Sequence, residues 1–255
     1  MFFIDTHSHL YVEQFSNDYN TVIAKAVAEG VEKIIFPGID STTHTDMLRI
    51  ASENQNTIYC MMGLHPCSVN ENFNQELDIV EKYLQQQKFV AIGEIGLDFY
   101  WDKTFVKQQL EAFNHQMELA LQYKLPINIH TRNATQETIE AVKPFAKRGL
   151  TGIFHCFGGS YETAKQIINL NFKLGIGGVL TYPKAGLQET LKPIGLEHIV
   201  LETDAPYLTP VPFRGKRNES SYIKIIAQKL ADIKGESIEE IAYVTTENAK
   251  KMYAL

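Results

Sequence analysis

The sequence is poor in cysteine and in long apolar runs, and both shortages restrict where the protein can work. Its three cysteines, Cys60, Cys67 and Cys156, form no Cys-x-x-Cys pair, and such a sparse, odd set favours a reducing compartment. No apolar stretch approaches membrane-spanning length, and no basic segment followed by a long apolar run opens the chain. We therefore expect a soluble cytoplasmic protein with no membrane partner.

Excess positive charge is also lacking, since the net charge is −6 and the isoelectric point is near 5.8. A polyanionic substrate would need local positive charge, which bound metal ions could supply. The chain has no Gly-x-Gly-x-x-Gly, no Walker-type loop and no Gly-x-Ser-x-Gly elbow. No segment indicates an obligate protein partner.

What the chain does have is a regular alternation of apolar runs and segments of helical period. Its 255 residues, 44% of them hydrophobic, suit one large domain over residues 1–255. The predicted strands are Phe2–His7, Lys33–Pro37, Thr57–Leu64, Phe89–Glu94, Ile127–His130, Gly152–His155, Phe172–Ile176 and His198–Glu202. The predicted helices are Asn20–Glu29, Thr42–Glu53, Gln75–Gln87, Phe105–Tyr123, Thr135–Lys147, Tyr161–Asn169, Tyr222–Lys234 and Ser237–Met252.

About eight strands alternating with helices predict an α/β fold of the TIM (β/α)8 type. The rival is an open doubly wound sheet. Histidines and carboxylates follow the first, fourth, fifth, sixth and eighth predicted strands. An open sheet would spread these strand ends along a line, whereas a closed barrel makes the first and last strands neighbours. The distribution therefore favours the barrel, because there all five ends converge on one mouth.

Two histidines close the first strand, and residues two apart on a strand point the same way. His7 and His9 can therefore face one metal ion. Asp204, after the last strand, can join them, and it could also hold a water and take its proton. We accordingly expect Asp204 to be both a metal ligand and a catalytic residue.

Glu94 is the expected bridge between two ions and the second catalytic residue. It lies between Gly93 and Gly96, whose small size lets other groups approach. Its alternative role is an ion pair with Arg132 inside the barrel. His130 and His155 favour the bridge, because they could complete a second metal site.

A pair of cations would activate water and stabilise both oxygens of a displacement. The ligand set is rich in nitrogen and oxygen and lacks sulfur. It fits two divalent ions per chain, such as Mg, Mn, Zn or Co, without choosing among them.

Three further residues are candidate substrate contacts. His65 could touch a phosphoryl oxygen or bond to backbone, and Arg132 could bind phosphate or pair with a carboxylate. Glu202 precedes Asp204 by two, so we expect it to face the same way and either bind a cation, orient a ligand or serve the structure. Other candidates with an equally plausible structural role are the basic residues Arg214, Lys216 and Arg217, and the aromatic residues Tyr100 and Trp101, which could stack on a base or plug the barrel mouth.

Taken together, these motifs resemble the TatD-type metal-dependent deoxyribonucleases, a branch of the amidohydrolase-like barrels. The matching stretches are Asp5–His9, Gly63–Pro66, Gly93–Asp98, Leu125–Arg132, His155–Ser160, Glu202–Tyr207 and Arg214–Glu219. The resemblance implies a TIM barrel with two metal ions and room for a third. It implies that His7, His9 and Asp204 hold one ion, that His130 and His155 hold the other, and that Glu94 bridges them. It also implies DNase or 3'–5' exonuclease activity, usually with Mg. The chain has Ser220 where the family often has proline, which affects only the expected shape of that loop.

Hydrolysis of DNA phosphodiesters is thus the leading hypothesis. The alternative is a metal-dependent hydrolase of esters or amides, such as a D-aminoacyl-tRNA deacylase. Many related binuclear hydrolases bridge their metals with a carboxylated lysine, and Glu94 in that place favours the phosphodiesterase branch. A non-catalytic metal-bound interaction protein is the third possibility.

Overall fold

The computed structural model describes all 255 residues and contains eight parallel strands in one sheet, in chain order. The strands are β1 (Phe3–Asp5), β2 (Val31–Phe36), β3 (Ile58–Met62), β4 (Ala91–Asp98), β5 (Ile127–Arg132), β6 (Gly152–Phe154), β7 (Phe172–Ile176) and β8 (Ile199–Leu201). The helices are α1 (Tyr19–Ala28), α2 (Ser41–Glu53), α3 (Phe73–Gln86), α4 (Val106–Tyr123), α5 (Thr135–Ala146), α6 (Tyr161–Asn169), α7 (Leu187–Leu191), α8 (Ile223–Lys234) and α9 (Ile238–Tyr253).

The sheet closes into a barrel between its first and last strands, which confirms the predicted TIM-type fold. The amide of Thr6 donates to the carbonyl of Leu201, and the amide of Asp204 donates to the carbonyl of His7. The buried carboxylate of Asp5 accepts hydrogen bonds from the amide and hydroxyl of Thr203, at 2.9 and 2.6 Å. Burial raises the pKa of Asp5 to about 7, against the lowering effect of these bonds.

The predicted elements agree with the observed ones except at some ends. Strand β4 continues four residues beyond Glu94, to Asp98, whereas β6 and β8 end before His155 and Glu202. The short helix α7 was not predicted, because five residues are too few to show a helical period. Ser237 caps α9 as expected, its hydroxyl accepting from the amide of Glu240. None of the helices combines the length and the apolar character that crossing a membrane requires.

Two layers of apolar packing support the barrel. A large cluster of buried side chains fills the space between the strands and the surrounding helices. A smaller cluster lies inside the barrel, where Ile4, Ile35, Met61, Ile153 and Val200 project inward from different strands. Tyr253, at the end of α9, packs against this inner cluster. The floor of the barrel is thus filled by apolar side chains, and the histidines and carboxylates of the predicted site lie at the opposite, C-terminal end of the strands.

Gly96 allows β4 and β5 to approach closely beside the polar end of the barrel. Its φ is +144°, and a Cβ atom there would lie 2.0 Å from the carbonyl oxygen of His130. Only glycine fits this position without moving β5, and moving β5 would move His130.

We predict that Gly96→Ala lowers the free energy of unfolding by at least about 3 kcal/mol, since it combines an unfavourable φ with a backbone clash. The matched control is Gly149→Ala, which also has a positive φ of +95° but no atom within 4 Å of the added Cβ. It should cost only about 1 kcal/mol. Urea denaturation of both variants measures the difference, and equal losses would contradict the steric argument.

Candidate metal centre

Six side chains of the predicted ligand set converge at the C-terminal end of the barrel. Glu94 and His130 lie within β4 and β5, and the other four lie just beyond the ends of three strands, where the backbone leaves the sheet. Asp204 adopts a positive φ of +57°, in the turn that follows β8. These six residues are His7, His9, Glu94, His130, His155 and Asp204; His130 and Asp204 are partly buried and the other four are buried.

The carboxylate of Glu94 divides this cluster into two halves. Its Oε2 atom lies 3.1 Å from Nε2 of His7 and 3.7 Å from Nε2 of His9. Its Oε1 atom lies 2.9 Å from Nδ1 of His130 and 3.3 Å from Nε2 of His155. Asp204 completes the first half, with Oδ1 3.7 and 3.6 Å from Nε2 of His7 and His9. One carboxylate oxygen therefore faces each half, as a bridging ligand requires.

The donor separations fit metal ions. Nitrogen and oxygen ligands lie about 2.0–2.2 Å from a zinc-type ion, so donors that share an ion are roughly 3–3.6 Å apart. Apart from the His130–Glu94 pair, the separations within each half run from 3.1 to 3.7 Å. His7, His9 and Glu94 form one group that could hold an ion, and Glu94, His130 and His155 form another. These buried clusters suit metal binding, and the described set contains no sulfur donor.

Each of the four histidines has its second ring nitrogen beside an oxygen atom outside the cluster. Nδ1 of His7 is 2.9 Å from Oδ1 of Asn128, and Nε2 of His130 is 2.9 Å from Oδ2 of Asp98. Because these oxygens only accept, each of those nitrogens carries the hydrogen and leaves the other nitrogen free to bind an ion.

The same logic applies to the other two histidines. Nδ1 of His9 is 3.0 Å from the hydroxyl of Tyr11. Because this hydroxyl donates its hydrogen to the carbonyl of Pro37, it accepts a hydrogen bond from Nδ1 of His9. Nδ1 of His155 lies 3.2 Å from Oε1 of Glu202, although the two are not aligned as a hydrogen bond. The outer hydrogen bonds of His7, His9 and His130 thus leave the other ring nitrogen of each available to an ion at the centre. The Nε2 atoms of His7 and His9 are only 3.1 Å apart, so they need a cation or a proton between them.

Asp98 is a functional candidate that the sequence motif contained but to which no role was assigned. It is buried, and it holds His130 through Oδ2 while its Oδ1 accepts from the amides of Tyr100 and Trp101 at 2.8 and 3.0 Å. Although burial raises the pKa of Asp98, these hydrogen bonds outweigh burial and hold it well below the usual value. Had the predicted fourth strand been extended past Glu94, alternation would have placed Glu94, Gly96 and Asp98 on the same face. That pattern would have identified Asp98 as a site residue.

Glu202 does not face the cluster opening as Asp204 does. It has no exposed surface, and its Oε1 accepts from the amide of Cys156 and lies beside His155. Gly175 leaves room for it, since a Cβ atom there would come within 2.2 Å of Oε2. Alternation fails here because β8 ends at Leu201 and the chain then turns. Glu202 thus lies beside His155 with no exposed surface, and its Oε2 has no hydrogen-bond partner.

The other two substrate candidates lie at the rim of the cluster. His65 accepts from the amide of Cys67 through Nδ1, so its Nε2 carries the hydrogen and points toward Oε1 of Glu94, 3.4 Å away. Arg132 does not pair with Glu94; its guanidinium carbon lies 3.8 Å from the ring centre of Tyr100. The ion pair considered as the alternative role of Glu94 is therefore absent.

Of the basic cluster after β8, Arg217 is occupied by a structural contact. It forms a two-pronged ion pair with Asp18 at 2.9 and 2.6 Å and also bonds to the carbonyl of Gln14. Arg214 and Lys216 lie over the rings of Tyr182 and Phe213. A phosphate role is therefore open only to the latter two.

The shifted pKa values of the clustered side chains also indicate that the cluster needs positive charge. Burial lowers the pKa of His7, but the carboxylates of Glu94 and Asp204 outweigh this and raise it to about 10. Burial also lowers the pKa of His130, but the carboxylates of Asp98 and Glu94 outweigh burial and raise this pKa to about 9. The neighbouring histidines hold the pKa of Glu94 well below its usual value in spite of burial. Protons therefore occupy the cluster when no cation does.

Comparison with known proteins gives a consistent result. A family model described as TatD related DNase matches residues 4–254. The chain is 41% identical over 252 residues to the uncharacterized metal-dependent hydrolase YabD of Bacillus subtilis, covering 98% of each chain. It is 30% identical over 257 residues to the 3'-5' ssDNA/RNA exonuclease TatD of Pantoea ananatis, covering 98% of this chain and 99% of that one. The crystal structure of YjjV, a TatD homolog from Escherichia coli, superposes with a TM-score of 0.93 at 30% identity, covering 99% and 98% of the two chains.

The contact between Asp98 and His130 predicts that Asp98→Asn weakens metal binding by about 10- to 100-fold, because His130 loses the acceptor that orients it. Isothermal titration with Mn²⁺ measures this. Asp102→Asn is the matched control, since Asp102 is exposed and contacts only the nearby Thr104. Equal affinities in the two variants would show that Asp98 does not orient a ligand.

Metal binding should also depend on pH. Because the pKa values of His7 and His130 lie above neutrality, both rings hold a proton at pH 7 that an ion must displace. Affinity should therefore rise with pH and level off above about pH 9 to 10. Titration in buffers of different ionisation enthalpy counts the protons released. No release near neutral pH would contradict this reading of the charges.

Proposed function

The chain belongs to the TatD-related DNase family, and from that premise we propose that this metal-dependent hydrolase cleaves phosphodiester bonds of DNA, as a 3'–5' exonuclease on single strands. The observation that carries the proposal is the placement of Glu94, with one carboxylate oxygen toward each half of the cluster. Two adjacent cation sites are the usual arrangement for in-line displacement at phosphorus. The exonuclease name of the Pantoea ananatis relative supports the substrate class.

In this proposal His7, His9 and Asp204 would hold one divalent ion, His130 and His155 would hold the second, and Glu94 would be shared by both. Ions of the Mg, Mn, Zn or Co type would supply a water activated near neutral pH and positive charge against the phosphoryl oxygens. Asn128, Tyr11 and Asp98 orient the imidazoles of His7, His9 and His130 by hydrogen bonds, and Glu202 lies beside His155.

Asp204 is the proposed proton acceptor. Its side chain is the most exposed of the carboxylates in the cluster, at 13%, so it can reach both the ions and incoming solvent. Burial raises its pKa, but the hydrogen bond with His9 and the charges of the histidines lower it overall. It is therefore ionised at neutral pH and able to take a proton from the attacking water. Glu94 contributes by fixing the spacing of the two halves.

His65 and Arg132 are the proposed phosphate contacts. No carboxylate pairs with the guanidinium of Arg132 at the rim. The Nε2–H group of His65 points toward Oε1 of Glu94 and would have to turn from it to reach a phosphate. Glu202 is not included among them, since it is wholly buried. DNA is the proposed partner, and its phosphate backbone would meet this rim.

Digestion of end-labelled single-stranded DNA with Mg, Mn, Zn or Co tests the function. We expect stepwise shortening from the 3' end, which EDTA abolishes. Asp204→Asn should reduce turnover by about 10²- to 10⁴-fold, which is the usual contribution of a general base to the rate. Circular dichroism should show that the variant keeps its fold. Asp78→Asn, an exposed carboxylate on α3, is the control and should keep wild-type turnover.

Two results would count against the proposal. If Asp204→Asn kept full activity, Asp204 would not be the proton acceptor. If the protein released D-amino acids from charged tRNA and no nucleotides from DNA, the ester-hydrolase alternative would replace the nuclease.

A further inference from the structure

Three exposed side chains lie beside the metal centre, and two of them, the aromatic ones, have no part in the proposed chemistry. Tyr100 and Trp101 follow the end of β4, and Arg132 is the last residue of β5. The guanidinium carbon of Arg132 lies 3.8 Å from the ring centre of Tyr100 and 5.1 Å from that of Trp101. The two aromatic rings meet edge to face, with centres 5.0 Å apart. We call these three residues the arginine–aromatic group.

The group is fixed in place by the same carboxylate that holds a proposed metal ligand. Oδ1 of Asp98 accepts from the amides of Tyr100 and Trp101, and Oδ2 bonds to His130. The amide of Phe99 donates to the carbonyl of Arg132 at 2.9 Å, which ties the two strand ends together. The backbone of the aromatic pair is therefore held in place, and only one buried side chain separates it from the metal centre.

The exposure of the rings shows that they do not serve the core. Trp101 is 69% exposed, more than any other large apolar side chain of the protein, and Tyr100 is 51% exposed. The alternative, that they plug the barrel mouth, would require them to be covered. A fixed and uncovered aromatic surface is a stacking surface for a flat ligand.

Arg132 adds a positive charge to this surface. No carboxylate lies within ion-pair distance of its guanidinium, which packs on the ring of Tyr100. A guanidinium packed on an aromatic face keeps its outer N–H groups free for the planar, bidentate contacts that suit phosphate. A flat ligand that carries a phosphate would satisfy both parts of the group.

We infer that the arginine–aromatic group is the subsite for an unpaired nucleotide, whose base stacks on Trp101 and Tyr100 while a phosphate binds Arg132. The inference rests on the proposed function and makes it more specific. A base in a duplex is not free to stack on a protein ring, so the subsite selects single strands and frayed ends. Stacking tolerates any base, and little sequence preference is expected.

Trp101 is the only tryptophan of the chain, so its fluorescence reports directly on this subsite. In the Mg²⁺-loaded protein, dAMP should quench the emission, and 2-deoxyribose 5-phosphate, which lacks the base, should not. Arg132→Gln should weaken dAMP binding by about 5- to 100-fold, the range of a lost charged contact. Equal responses to the two ligands, or no response to dAMP, would overturn the inference.

Kinetics on oligonucleotides provide the second test. Trp101→Ala should raise KM for single-stranded DNA by about 5- to 100-fold with little change in kcat, and Trp101→Phe should restore it. On an abasic oligonucleotide Trp101→Ala and wild type should behave alike. The control is Tyr243→Ala, which removes an equally exposed ring (66%) from α9 and should leave KM unchanged.

The outcomes separate this inference from the proposed function. If dAMP quenches Trp101 but no nucleic acid is cut, the subsite stands and the nuclease proposal fails. If DNA is cut and Trp101→Ala has the wild-type KM, the nuclease stands and the subsite is refuted.

Discussion

Closure of the barrel between β1 and β8 is the constraint on which the candidate centre depends. The first and last strands lie about two hundred residues apart in the chain, and the buried carboxylate of Asp5 joins them through the amide and hydroxyl of Thr203. Asp204 is then held against His7 by a backbone hydrogen bond. Without that junction the two histidines that follow β1 and the carboxylate that follows β8 would face no common point, and one half of the cluster would not exist.

Burial of the clustered side chains then creates a need for compensating positive charge. Four imidazoles and two carboxylates in a nearly dry site cannot remain without compensating charge, because lone pairs and negative oxygens would face one another at 3.1 to 3.7 Å. The hydrogen bonds that His7, His9 and His130 make outside the cluster favour a cation at its centre. Each of them fixes a hydrogen on the ring nitrogen that points away from the centre. The same Asp98 carboxylate extends the organised region to the exposed rings of Tyr100 and Trp101. The proposed metal ligand His130 and the proposed nucleotide subsite thus share a single buried carboxylate.

The sequence predicted the barrel and the convergence of six side chains, because parallel strands place their C-terminal ends together and the residue types at those ends were visible. It could not predict features that depend on where a strand departs from regular alternation. Glu202 was expected to share the direction of Asp204, but β8 ends at Leu201 and Asp204 takes a positive φ, so Glu202 turns inward. Asp98 was overlooked because β4 runs further than its apolar run. The pairing of Arg217 with Asp18, 199 positions away, has no local signal at all.

The central claim is that Glu94 bridges two cations, and anomalous diffraction from crystals soaked in Mn²⁺ tests it most directly. The account predicts two peaks, one on each side of this carboxylate, with His7, His9 and Asp204 around one and His130 and His155 around the other. A single peak that does not touch Glu94, or no peak among these side chains, would contradict it.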